Sequence, residues 1–185
     1  MRIILPKMLC EVDFTYGPFF FLAGPVAGGD DWQRKCCEML KSKITDFYAA
    51  IPCRYDNDHP LSAHKSEGKE NYFDRQLTWE RHYMALAAYR GCLLFWLPSE
   101  SKTEPRTDRN PYAMDTRGEI GEWRARLAQE PALQIVIGAE ANFPGLSEIR
   151  RNFNLALGYK FPIYKTLEET ASAAIQRASP PKSRP

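Results

Sequence analysis

Cys92-Leu-Leu-Phe-Trp-Leu97, closed by Pro98, is the stretch that decides the fold. An unbroken apolar run bounded by a turn residue fits a strand covered on both faces. Phe19-Phe-Phe-Leu-Ala23, ending at Gly24-Pro25, has the same character. Tyr48 to Cys53 and Leu133-Gln-Ile-Val-Ile137, the latter ended by Gly138, are two more strands, and Pro162-Ile163-Tyr164 is a short one. Helical spacing fills the intervals. Asp30 or Asp31 caps a helix through about Ser42, with Trp32, Cys36, Met39 and Leu40 on its apolar side. A helix from about Phe73 to Tyr89 carries Leu77, Met84 and Ala88. One from near Thr116 to about Gln129 carries Ile120, Trp123 and Leu127. Leu146 to Leu157 is a helix with Gly158 just past its end, and Thr166-Leu-Glu-Glu169 is a capping box opening the last one. Strands alternating with helices imply right-handed βαβ units. The expectation is an α/β three-layer sandwich, flavodoxin-like or Rossmann-like, with a five-stranded parallel sheet.

The chain has 185 residues, enough for one α/β domain, and 25 Lys+Arg against 23 Asp+Glu. A net charge of +2 without a basic stripe argues against nucleic-acid binding. No apolar run approaches the ~20 residues of a membrane span, and the apolar part of the N-terminus is too short for a secretory signal. Five cysteines, Cys10, Cys36, Cys37, Cys53 and Cys92, form no CxxC pair and read as reduced thiols of a cytoplasmic protein. Residues 1–16 are an N-terminal arm or an extra strand, 17–178 the domain, and 179–185 a disordered tail by composition.

In open parallel sheets, ligands bind beyond the carboxyl ends of the strands. That rule selects Gly24–Gly29, Arg54–Tyr55, Pro98 to Glu119 and Gly138–Asn142. Gly24, Pro25 and Gly28 fall in a βα loop that lacks both the P-loop and the GxGxxG spacing, and its glycines allow close backbone approach to a ligand. Thr116-Arg-Gly-Glu119 reads in two ways. As a capping box, Glu119 folds back onto the Thr116 N–H. As a site, Glu119 projects into the crevice as nucleophile or base. Gly118 and Gly121 beside it cost helix propensity, which suits close approach by backbone or ligand. On the preceding helix Glu80 is either a second carboxylate or a solvated charge. Trp79 and Tyr83 are i,i+4 partners, in an aromatic wall or in the core, and His82 reads as a surface residue. His59 and His64, in a polar loop with Asp56 and Asp58, match no known metal-ligand spacing.

FLAGP (Phe21–Pro25) at the first strand, QLTWERHYM on the helix, LLFWLP on the strand and TRGEIGEW on the next helix occur in an order and spacing that resembles the nucleoside 2-deoxyribosyltransferase-like proteins. The resemblance runs from about Phe19 to Thr170. It implies a flavodoxin-like fold of five parallel strands, no cofactor and no metal, a nucleoside or nucleotide as small-molecule partner, and a homo-oligomer. It also implies cleavage of an N-glycosidic bond, with Glu119 in the place of the attacking carboxylate. Asp115, Glu80 and Tyr112 then assist the leaving base or hold the ribosyl hydroxyls, and Phe21 and Trp79 line the pocket. The sequence departs from the pattern at Arg90-Gly91, where an Asp is expected, and at Arg117, two residues before Glu119. Arg117 with Arg54 and Arg150 or Arg151 either pairs with a substrate phosphate or belongs to the surface. A non-catalytic nucleotide-binding module on the same fold is the alternative. A phosphoribohydrolase is disfavoured, because no PGGxGTxxE motif is present.

Overall fold

A computed structural model describes residues 1–6, 10–52, 69–107 and 110–178, with side chains undescribed at 69–75. Arg54, Cys53, the histidines at 59 and 64 and the tail from 179 lie outside the described residues. The strands are β1 (Arg2–Ile4), β2 (Phe19–Ala23), β3 (Tyr48–Ala50), β4 (Cys92–Leu97), β5 (Ile135–Ala139) and β6 (Ile163–Tyr164). The helices are α1 (Trp32–Lys43), α2 (Lys69–Arg90), α3 (Met114–Gln129), α4 (Leu146–Leu157) and α5 (Leu167–Ala178).

All strands pair in parallel, in the order β1-β3-β2-β4-β5-β6. This is a flavodoxin-like, Rossmann-like three-layer α/β fold with one strand more than expected. The sixth is β1. Its Arg2, Ile3 and Ile4 add to the free edge of β3, opposite Tyr48, Ala49 and Ala50. Three residues ending in one buried isoleucine carry too little pattern to be separated from a loose arm by sequence.

The sheet has two apolar faces because the strands alternate with period two. Phe19, Phe21, Leu93, Phe95 and Leu97 point to one side, into a core shared with α2, α3 and α4. Phe20, Leu22, Cys92, Leu94 and Trp96 point to the other, into a core shared with α1 and α5. Burial on both sides is why β2 and β4 lack polar residues. Strand β5 runs through Gly138 instead of ending there. A Cβ at Gly138 would lie 1.9 Å from Thr170 Oγ1, so the glycine lets α5 settle against the strand. The last helix opens as its sequence requires: Glu169 N–H donates to Thr166 Oγ1 at 3.1 Å, and Thr166 N–H donates to a Glu169 carboxylate oxygen at 3.2 Å.

The chain order reverses between β2 and β4. A crevice forms at such a switch point, beyond the carboxyl ends of the strands. Gly24-Pro25 leaves β2 there and Pro98 leaves β4. A Cβ on Gly24 would stand 2.2 Å from the Trp96 carbonyl oxygen, so only glycine lets the two strand ends lie this close.

Candidate active site

A cavity of about 470 Å³ occupies the switch point. Its walls come from the loop after β2 (Gly24 to Ala27), Pro52 after β3, α2 (Gln76, Leu77, Glu80), the loop after β4 (Arg106, Asn110) and the start of α3 (Ala113 to Thr116, then Glu119). A second cavity of about 410 Å³ lies on the other side of the same carboxylates and shares Leu77, Glu80, Met114, Asp115 and Glu119 with the first.

Helix α3 begins three residues earlier than the capping-box pattern implies. Its N-cap is Ala113, so Thr116 is the third helical residue and Glu119 the sixth. The Thr116–Glu119 box is therefore not formed. The Arg117 N–H makes the first α-helical bond, to the Ala113 carbonyl at 3.0 Å. Ala113 holds φ 56° and ψ 31°, the left-handed region that non-glycine residues avoid. Buried at 4% exposure and lining the cavity, it marks a backbone conformation that the surrounding structure imposes.

Glu119, freed from capping, is partly buried on the cavity wall. Loss of water pushes its carboxyl up to about 8, helped by the charges of Glu80, Asp115 and Glu122. Glu80 is buried on α2. Desolvation raises its pKa, opposed by a hydrogen bond from Gln76 Nε2 at 2.9 Å, with Asp115 raising it further. Asp115 is exposed at the mouth of both cavities. Two helices thus bring three carboxylates to one place, Glu80 buried, Glu119 partly buried and Asp115 exposed. Among the described residues no three His, Cys, Asp or Glu side chains are grouped as metal ligands.

The other residues singled out in the sequence divide clearly. Gly24 and Pro25 line the cavity. Gly28 does not. Its carbonyl accepts the Ser101 N–H at 2.7 Å, and its backbone packs on Arg106, tying the β2 loop to the β4 loop. Trp79 and Phe21 are core residues, with ring centroids 5.9 Å apart, and Tyr83 stacks on Phe19 behind them. Tyr112 is buried and donates its hydroxyl to the Pro98 carbonyl at 3.0 Å, fixing the turn that presents Ala113. Arg117 is exposed away from the cavity, 5.8 Å over the Phe143 ring. Arg150 and Arg151, on α4, do not line it. His82 is exposed, edge-on to Tyr83. A Cβ at Gly118 or Gly121 would meet nothing within 4 Å, so no protein backbone approaches either glycine.

Sequence reasoning missed Gln76, Arg106, Asn110 and Thr116 as lining residues. The rule of the carboxyl edge covered three of them by position, but a lone Arg, Asn or Thr in a polar loop or first turn carries no distinguishing pattern. Gln76 had a usable signal: it stands four residues before Glu80, hence one turn away on the same helical face.

The chain matches no protein-family model, and no curated protein matches it. No helix among the described residues is long and apolar enough to cross a membrane.

Proposed function

We propose that this protein cleaves the N-glycosidic bond of nucleosides or nucleotides, with Glu119 as nucleophile, and passes the sugar to water or to a second base. The observation that carries the reading is the trio Glu80, Asp115 and Glu119 around one cavity at the switch point of a parallel sheet, with Glu119 released from its capping role. The motif resemblance in FLAGP, TWE, LFWLP and GEIGEW points to the same chemistry.

Retaining glycoside cleavage needs one ionised and one protonated carboxyl. Burial first, and then a neighbouring carboxylate, raises each of Glu80 and Glu119, Asp115 acting on Glu80 and Glu80 on Glu119, so near neutral pH the pair retains a proton, held on Glu119 in the free protein. Once substrate binding has passed that proton to Glu80, a Glu119 carboxylate oxygen attacks C1′. The C1′–N bond breaks, its electron pair passes into the base ring, and a ring nitrogen of the departing base takes the Glu80 proton. Asp115, at the mouth, holds ribosyl hydroxyls. Water, or a ring N–H of a second base, then attacks C1′. The C1′–O bond to Glu119 breaks and the attacker's proton returns to Glu80. Removal from water strengthens every charge interaction along this path.

The reading extends to a cytoplasmic homo-oligomer. Leu77 and Met114, exposed at the rim of both cavities, support a second copy closing the mouth. Chromatography of free base released from nucleosides and 5′-monophosphates, ribo and deoxyribo, with and without a second base, tests the activity. Release or exchange is expected. A thermal shift without release would instead make this a binding module, and no shift and no release would end both readings.

A further inference from the structure

Gln76 is the cavity-lining amide among the described side chains of α2, and 9% of its surface is exposed. Its Nε2 donates to Glu80 Oε1 at 2.9 Å, while its buried Oε1 has no hydrogen-bond partner among the described residues. With the Glu80 proton on Oε2, its Oε1 only accepts, so the amide nitrogen faces Oε1 and the amide oxygen faces elsewhere. A buried acceptor left without a donor costs free energy, and a ligand that brings a donor removes that cost.

We infer that Gln76 selects the base of the substrate by its exocyclic amino group: the side chain accepts from the amino N–H while Glu80, one helical turn on, donates to the adjacent ring nitrogen. This rests on the N-glycosidic reading above. The Gln76–Glu80 pair presents an acceptor beside a donor. Adenine and cytosine match it, because each carries an amino group next to an unprotonated ring nitrogen. Hypoxanthine and uracil present the reverse, a carbonyl beside a ring N–H, which sets oxygen against oxygen at Gln76 and proton against proton at Glu80. The Nε2–Glu80 bond fixes the amide, so the side chain cannot turn over to accept the keto pattern without giving up that bond. A site built around a buried hydrogen bond rejects the mismatched analogue far more strongly than one that reads shape alone.

The test is competition and base release with two pairs, adenosine against inosine and cytidine against uridine, in whichever sugar and phosphate form the protein accepts. The amino member of each pair is expected to be favoured at least about tenfold in kcat/KM, or in Kd if release is slow. Gln76→Met, checked for folding by circular dichroism, should bring both ratios to within about threefold of unity. Equal handling of the pairs by the wild-type protein, a keto preference, or ratios unchanged in Q76M would overturn the inference and leave the N-glycosidic reading standing. Failure of every nucleoside and nucleotide to bind or react would overturn both.

Discussion

Two helices of this protein carry the same four-residue signature, Thr-x-x-Glu, and use it oppositely. At α5, Thr166 is the N-cap and Glu169 the third helical residue, and the two side chains satisfy each other's backbone N–H groups. At α3, Thr116 is itself the third helical residue, so Glu119 lies a turn too deep to reach back. The first pair serves the helix it begins. The second leaves a carboxyl partly buried beside two others, a costly arrangement that the fold must offset elsewhere. A motif's meaning therefore depends on its register relative to the helix start. That start was set here by Ala113 in a left-handed conformation, which no propensity scale would predict.

Substitutions can break the contrast. The largest effect is expected at Glu119. Glu119→Gln should lower base release by about a thousandfold or more, the scale of losing a nucleophile that acts as part of a unit. Glu169→Gln should leave turnover intact, and steady-state rates of the two variants check both halves. Near-normal activity in E119Q would assign Glu119 to binding.

Next in size is a pH effect centred on Glu119 of α3. The unfolded chain loses the Glu119 proton near 4.5, whereas the native protein keeps it to about 8. Across that window the native state binds more protons than the unfolded one, so stability falls as pH rises. Melting temperature should decline from pH 5 to pH 8 in the wild type and decline less in E119Q. Equal slopes in the two proteins would mean that Glu119 is not held protonated.

A smaller effect belongs to the formed cap. Thr166→Ala should cost about 0.5–2 kcal/mol in denaturant unfolding without changing activity. The smallest is at Gly121, where a methyl group meets open space. Gly121→Ala should stabilise α3 by about 0.5–1 kcal/mol. Destabilisation there would reveal a close neighbour, such as a second copy of the chain.

The sheet was legible in the sequence because β2, β4 and β5 are buried on both faces and leave runs without polar residues. The α5 cap was legible because its pattern starts at the true helix boundary. The extra edge strand was not, since β1 is held by backbone pairing to β3 more than by its own side chains. At the site, the carboxyl-edge rule and the resemblance led to Glu119, Asp115 and Glu80. Trp79, Phe21 and Tyr112 were placed in the pocket on residue type, yet their rings pack beneath and behind it, because an aromatic next to a catalytic motif fits core and cavity equally well by pattern. Arg117 was drawn in by nearness in sequence, but two residues along a helix turn a side chain to another face. Gln76 required the structure, since its significance lies in an oxygen left without a donor.

The most direct test of the central claim is to quench the protein during turnover and locate added pentose mass by peptide mass spectrometry. A sugar adduct on Glu119, absent from E119Q, is expected. An adduct on Glu80 or Asp115, or steady base release with no adduct at any carboxylate, would contradict it.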